Sequence, residues 1–180
     1  MNKQLRLFIR HTDVSPDGRV LKVHPWRPAN TLLRNFAALL LIFFSQVTQS
    51  VKDWANADHD DIPRSDNFAV NAALSNTTYG ILIGTGETAV TRTDYKLATQ
   101  VTTDITHSTL SYELLNPTTD DWHILLHRSF TNNTGAAIDV KEVALVAKNA
   151  NTYIYCLDRT LYNVTLGIGV TKIITYKIQI

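Results

Sequence analysis

One cysteine, Cys156, in 180 residues excludes a disulfide within the chain. Charge is scarce as well: Asp, Glu, Lys and Arg together make up 18%, below the usual quarter. The formal net charge is +1 and no Lys/Arg block stands out, so electrostatic binding of nucleic acid is not signalled. The opening residues, Met1-Asn2-Lys3-Gln4-Leu5-Arg6, are not followed by the apolar segment and small-residue cleavage site of a secretory signal. The longest apolar run, Phe36–Phe44, falls short of the about 20 residues that span a bilayer. Arg34, Asn35, Ser45 and Gln46 close it off. No membrane span, internal repeat or low-complexity segment is expected, and a cytoplasm is the expected place of synthesis.

What is present is a substantial apolar fraction, 44%, enough for a real core. With so little charge, the polar surface must come largely from Thr, Asn, Ser and Gln. Such a surface suits a subunit of an assembly. The chain divides into residues 1–78, with a hairpin, an apolar helix and a polar loop, and residues 79–180, which read as strands. One compact unit is the expectation.

Leu5–Ile9 and Arg19–His24 alternate in polarity around Ser15-Pro16-Asp17-Gly18, a strong turn, and predict a hairpin. Asn30 or Thr31 is a reasonable helix cap. Leu32, Leu33, Phe36, Leu39, Leu40, Phe43, Val47, Val51 and Trp54 recur at spacings of three and four, which predicts an amphipathic helix over 31–54. Its middle is apolar on the other face too, through Ala37, Ala38, Leu41, Ile42 and Phe44. Either the sheet and the hairpin bury it, or a neighbouring chain covers part of it. Phe36, Leu41, Phe43, Phe44 and Trp54 are therefore the interface candidates. Residues 55–76 are polar and broken, and predict a long loop.

From Tyr79 the pattern is that of short strands: 79–83, a short element in 95–102, 109–114, 122–131, 137–147, 152–158 and 170–180. Turn signals such as Asn132-Asn133-Thr134-Gly135 separate them. In the last strand Ile174, Tyr176, Ile178 and Ile180 share one face and Thr175, Lys177 and Gln179 the other, the mark of one-sided burial in antiparallel sheet. The expected fold is mainly β: an antiparallel, jelly-roll-like β-sandwich with one long N-terminal α-helix.

Candidate chemistry is thin. Gly84-Thr85-Gly86 lacks the third glycine and the following helix of a nucleotide loop and is expected to be a turn between strands. Asp58-His59-Asp60-Asp61 could offer oxygen ligands to a hard cation, but its spacing is not that of an EF-hand. His123 and His127 would chelate from a helix. On a strand they stand roughly 13 Å apart and cannot share an ion. Cys156 sits in an apolar strand with no assignable partner and is expected to be buried and inert. Three Asn-x-Thr sites, at Asn76, Asn132 and Asn163, match the glycosylation pattern but reflect the high Asn and Thr content. Trp26, Trp54 and Trp122 are scattered rather than aligned as a sugar-stacking platform. No catalytic, metal or cofactor-binding residue is assigned, and no cofactor is expected.

Three stretches resemble a recurring type of virion structural protein in tailed bacteriophages. They are Tyr79–Gly86 followed by Thr93–Leu97; Arg128–Ala136 leading into Ile138–Leu145; and Leu157–Leu161 followed by Val164–Leu166 and the terminal strand ending in Tyr176–Ile180. The leading segment Asn30–Phe36 is also similar to that type. The resemblance implies a β-sandwich virion component with no enzymatic activity. It implies self-association into a homo-oligomer and binding to a major capsid protein, as a decoration or minor capsid subunit. The alternative is a tail, baseplate or fibre subunit that binds a host receptor or glycan.

Overall fold

Strand β1 (Arg6–Val14) sets the frame. Leu7, Ile9 and His11 point into the core while Phe8 and Arg10 point away from it, the alternation expected of a strand with one covered face. The computed structural model describes residues 6–29, 35, 49–61, 69–118, 121–149 and 152–179. Its remaining strands are β2 (Val20–Val23), β3 (Arg27–Pro28), β4 (Gln49–Lys52), β5 (Asp58–Asp61), β6 (Gly80–Gly84), β7 (Ile105–His107), β8 (Ser111–Thr118), β9 (Asp121–Asn132), β10 (Ile138–Lys148), β11 (Ile154–Leu166) and β12 (Thr171–Gln179).

All pairings are antiparallel. A seven-stranded sheet runs β2-β1-β12-β9-β7, with β3 also on β1 and β8 also on β9. β1 and β12 pair without a break from Arg6 opposite Gln179 to Val14 opposite Thr171. The first and last described strands thus lie side by side near the middle of the sheet. A three-stranded sheet, β11-β10-β6, packs against it, and β4 and β5 form a separate hairpin.

The main core lies between the two larger sheets. Ile9, Phe130, Ile174 and Tyr176 come from one side, and Ile81, Ile83, Val143, Leu145, Tyr155 and Leu166 from the other. A second cluster, Leu82, Leu97, Ala144, Val146 and Cys156, covers the opposite face of the three-stranded sheet, with Trp54, Val90 and Ile154 packed on it. Burial on both faces explains why β10 carries the unbroken run Val143–Ala147 instead of alternation.

A hairpin β1–β2 turns at Ser15–Gly18, where Gly18 takes a φ of 85° and its N–H donates to the Ser15 carbonyl at 2.9 Å, but it is Thr12–Val14 that pair with β2, while Phe8 and Ile9 of the expected strand pair with β3 and β12. The long N-terminal helix is corrected. Among the described residues only Asn35 is helical, and every named element is a strand. At the end of the predicted helix, Gln49–Lys52 is a strand paired with Asp58–Asp61, and Trp54 sits in the turn between them. The apolar spacing that placed Val51 and Trp54 on one helix face is met otherwise: Val51 enters the main core and Trp54 the second cluster. The predicted polar loop correspondingly contains β5. Most of the predicted helix, including Phe36–Phe44, lies outside the described residues. The described strands divide seven and three, with a two-stranded hairpin, rather than into the paired four-stranded sheets of a jelly roll.

Two strand predictions needed change. Residues 95–102 form no strand; a lone bridge joins Gln100 to Gly84, and Leu97 and the N–H groups of Ala98 and Thr99 pack onto the three-stranded sheet. β11 runs past Asp158 to Leu166. A register shift opposite Leu145 and Val146 changes its phase, so the residues facing the main core pass from Tyr155 and Leu157 to Tyr162 and Leu166. Alternation read from sequence therefore stops at the bulge while the strand does not.

Candidate functional site

Of the residues singled out from sequence, Trp54, His59, His127 and Cys156 are described, and each engages partners of its own. Phe36, Leu41, Phe43 and Phe44 lie outside the described residues. Trp54 is half-buried against the second core cluster, and its backbone N–H donates to the Ile154 carbonyl at 2.8 Å. It closes the molecule's own sheet. Along the proposed cation loop, Lys52 Nζ pairs with Asp58 at 3.2 Å. His59 Nε2 meets Asp53 at 2.8 Å and stacks on Tyr153 at 3.7 Å. His127 bridges Thr175 at 2.9 Å and Glu113 at 3.3 Å, along its own stretch of β9. Cys156 is fully buried, and burial pushes its thiol well up.

A buried ion network joins the three stretches that carry the phage resemblance. Glu142 on β10 accepts from Arg159 Nε at 2.7 Å and from the backbone N–H groups of Gly86, Ala98 and Thr99 at 3.1, 3.0 and 2.8 Å. Arg159 Nη1 reaches Asp94 at 2.7 Å, and Nη2 donates to Thr88. The loop 85–99 is thereby fixed over the three-stranded sheet. Gly86 admits the carboxylate: a Cβ there would stand 2.5 Å from Glu142 Oε1. The turn expected at Gly84–Gly86 is thus a close approach of backbone to a buried acid. Glu142 and Arg159 are closed to water and fully paired, while Asp94 and Thr88 at the rim reach solvent, an arrangement suited to holding the fold.

Arg128 does the same for residues 73–81. Its guanidinium donates to the carbonyls of Ser108, Tyr79, Ile81, Ala73 and Asn76, at 2.9, 3.1, 3.0, 3.3 and 2.5 Å, using every N–H it has. Burial pushes its pKa down to about 10, which leaves it charged at neutral pH. His107 lies beside it, edge-on to Phe130 at 5.1 Å, and neither ring nitrogen has a hydrogen-bond partner among the described residues. Burial and the Arg128 cation push its pKa down to about 4.

The arrangement nearest to a metal centre is His11, Asp13 and His24, whose ligand atoms lie within 4.8 Å of one another. His11 Nδ1 meets Tyr162 Oη at 2.7 Å, and His24 Nε2 meets Asp13 at 3.1 Å. Two features argue against an ion. The imidazoles stack face to face at 3.7 Å with 24° between planes, so their in-plane lone pairs do not converge. Lys172 Nζ already occupies the other Asp13 oxygen. Burial, with the His24 and Lys172 charges, pushes His11 down to about 4. The lysine supplies the cation that this pocket needs.

What the surface offers instead is edges. The seven-stranded sheet ends on one side in β2, where Val20, Leu21 and Val23 are 60%, 65% and 52% exposed. It ends on the other in β7 and β8, which share the far side of β9, and on β8 Tyr112 and Leu114 are 69% and 61% exposed. Open strands with apolar side chains are usually avoided or covered. Sequence reasoning placed these strands but could not see that they are edges, because edge position is set by topology. Comparison with known proteins finds no matching family model, no similar curated protein and no similar solved structure.

Proposed function

We propose that the chain is a non-enzymatic virion structural protein of a tailed bacteriophage, a self-assembling subunit that binds a neighbouring capsid protein. The observation that supports this reading is the pair of apolar edges, β2 and β8, that the large sheet presents among the described residues. Lys22 on β2 and Glu113 and Pro117 on β8 guard these edges in part, yet their apolar side chains stay exposed, and a subunit whose edges meet neighbours has use for them. The resemblance to phage structural proteins supplies the particle. Its carrying residues Glu142, Arg159 and Asp94 meet in a structural network, which accords with a shared scaffold rather than a shared reaction.

The test is addition of purified protein to undecorated heads. Saturable binding is the expected result. Binding confined to tails or host cells would replace the capsid assignment with a tail, baseplate or fibre one. Absence of the protein from purified particles would overturn the virion reading altogether.

A further inference from the structure

The two open edges of the seven-stranded sheet are complementary to each other. Among the described residues β2 pairs only with β1, and β8 only with β9. Both strands are exposed on both faces, through Leu21, Lys22 and Val23 on one and Tyr112, Glu113 and Leu114 on the other.

An antiparallel ladder turns successive peptide groups alternately towards its partner and away from it. The His24 N–H donates to the His11 carbonyl at 3.1 Å, one step beyond the pair Thr12–Val23. Val23 therefore turns its own N–H and C=O to the open side. Leu21 is the residue that the bulge opposite Val14 leaves without a partner on β1. On the other edge, the Ser108 N–H donates to the Ser129 carbonyl at 3.0 Å. The peptide groups of Ser129, and of His127 and Leu125 in step with it, thus turn towards β7 and β8. Tyr112 and Leu114, opposite Leu126 and Ile124, consequently turn theirs outward.

The faces agree as well. Lys22 stands opposite Asp13, on the core side of the sheet with Ile9 and His11. Glu113 stands opposite Leu125, on the side away from Leu126 and the core. β2 and β8 run in the same direction, because four successive antiparallel pairings separate them. Joining them antiparallel requires the second copy to be turned over, and that brings Lys22 and Glu113 to one side. The resulting register sets Val23 against Tyr112, Lys22 against Glu113 and Leu21 against Leu114. Apolar pairs flank one pair of opposite charges. Symmetric pairings over the same span would instead set Lys22 against Lys22 or Glu113 against Glu113, which repel. Lys22 has no ion-pair partner among the described residues. Glu113 meets His127 at 3.3 Å through Oε1, leaving its other oxygen open on a side chain 50% exposed.

We propose that β2 of one copy pairs antiparallel with β8 of the next, continuing the seven-stranded sheet from chain to chain. Main-chain hydrogen bonds and alternate apolar contacts hold such a junction. The contact is heterologous and so builds chains or rings rather than closed two-fold dimers. It rests on the reading of the chain as an assembling subunit and names one of its contacts.

Sedimentation of the full chain tests it. The wild type is expected to self-associate as its concentration rises. Val23→Pro and Leu114→Pro each remove one outward N–H and no bond to β1 or β9. Each is expected to be monomeric, with wild-type circular dichroism. Their equimolar mixture is expected to form heterodimers, since the first retains β8 and the second β2. Lys22→Glu and Glu113→Lys, which leave the backbone alone, are each expected to weaken association about 5-fold, and the double variant to recover it. Association of either proline variant by itself would point to a symmetric or unrelated contact and overturn the proposal. A mixture that stays monomeric, a double variant no better than the single ones, or a wild type monomeric at all concentrations would overturn it too. Should a proline variant unfold, the charge series decides. Assembly through another surface would leave the virion reading intact, whereas absence from particles would remove that reading whatever these variants do.

Discussion

At the scale of single residues, the polar groups that matter most are those the core has closed over. Glu142 is fully buried and answers one arginine and three backbone N–H groups. Glu142→Ala should lower the unfolding free energy by ~3–5 kcal/mol, because it strands part of the Arg159 charge. Urea denaturation measures it. Asp158 offers a pH signature. Burial, only partly offset by hydrogen bonds from Tyr176 Oη and Thr160 Oγ1, raises its carboxyl to about 7. The folded state therefore holds this proton more tightly than the unfolded chain does. The contribution is full at pH values below the ordinary aspartate pKa and fades as pH rises towards about 7, by on the order of 4 kcal/mol. His11 and His107, both pushed down to about 4, act oppositely: their neutral forms suit the fold, and stability falls as pH drops from about 6.5 towards 4. Asp158→Asn should remove the loss on the alkaline side and leave the acid side unchanged, as thermal melts across pH would show.

At the scale of elements, Gly86→Ala should be destabilising by about 2 kcal/mol or more, since its Cβ meets the Glu142 carboxylate and the Ala98 side chain at 2.5 and 2.6 Å. On the open edge, Leu114→Lys should leave the melting temperature nearly unchanged and reduce association or aggregation, read by light scattering. The same elements show how far the sequence could be read. The β1–β2 hairpin and strands β6, β9, β10 and β12 were legible because turn chemistry and apolar pattern agree in them. β4 was misread as the tail of a helix because Val51 and Trp54 fit a three-to-four spacing equally well. In fact they enter two different clusters from a hairpin. β11 was cut short at Asp158 because its phase changes at a bulge. The ion network was invisible because Asp94, Glu142 and Arg159 are far apart in the chain. So was the contact of Lys177 with Trp26, since Trp26 lies between β2 and β3 and meets Lys177 only through the pairing of β1 with β12.

At the scale of the whole molecule, β12 holds the seven-stranded sheet together by pairing with β1 on one side and β9 on the other. A chain ending before Thr171 should therefore fail to fold, and circular dichroism with proteolysis would reveal a collapsed, unprotected state. Pairings of such long sequence separation are slow to form.

That arrangement also controls timing during synthesis. While β1 waits for β12, the later of the two to leave the ribosome, the large sheet is split and its two halves are held as separate pieces. The Phe8–Lys177 pairing does not yet exist, and neither does any surface built on it. A nascent chain thus presents this face of the large sheet only after its own sheet has closed.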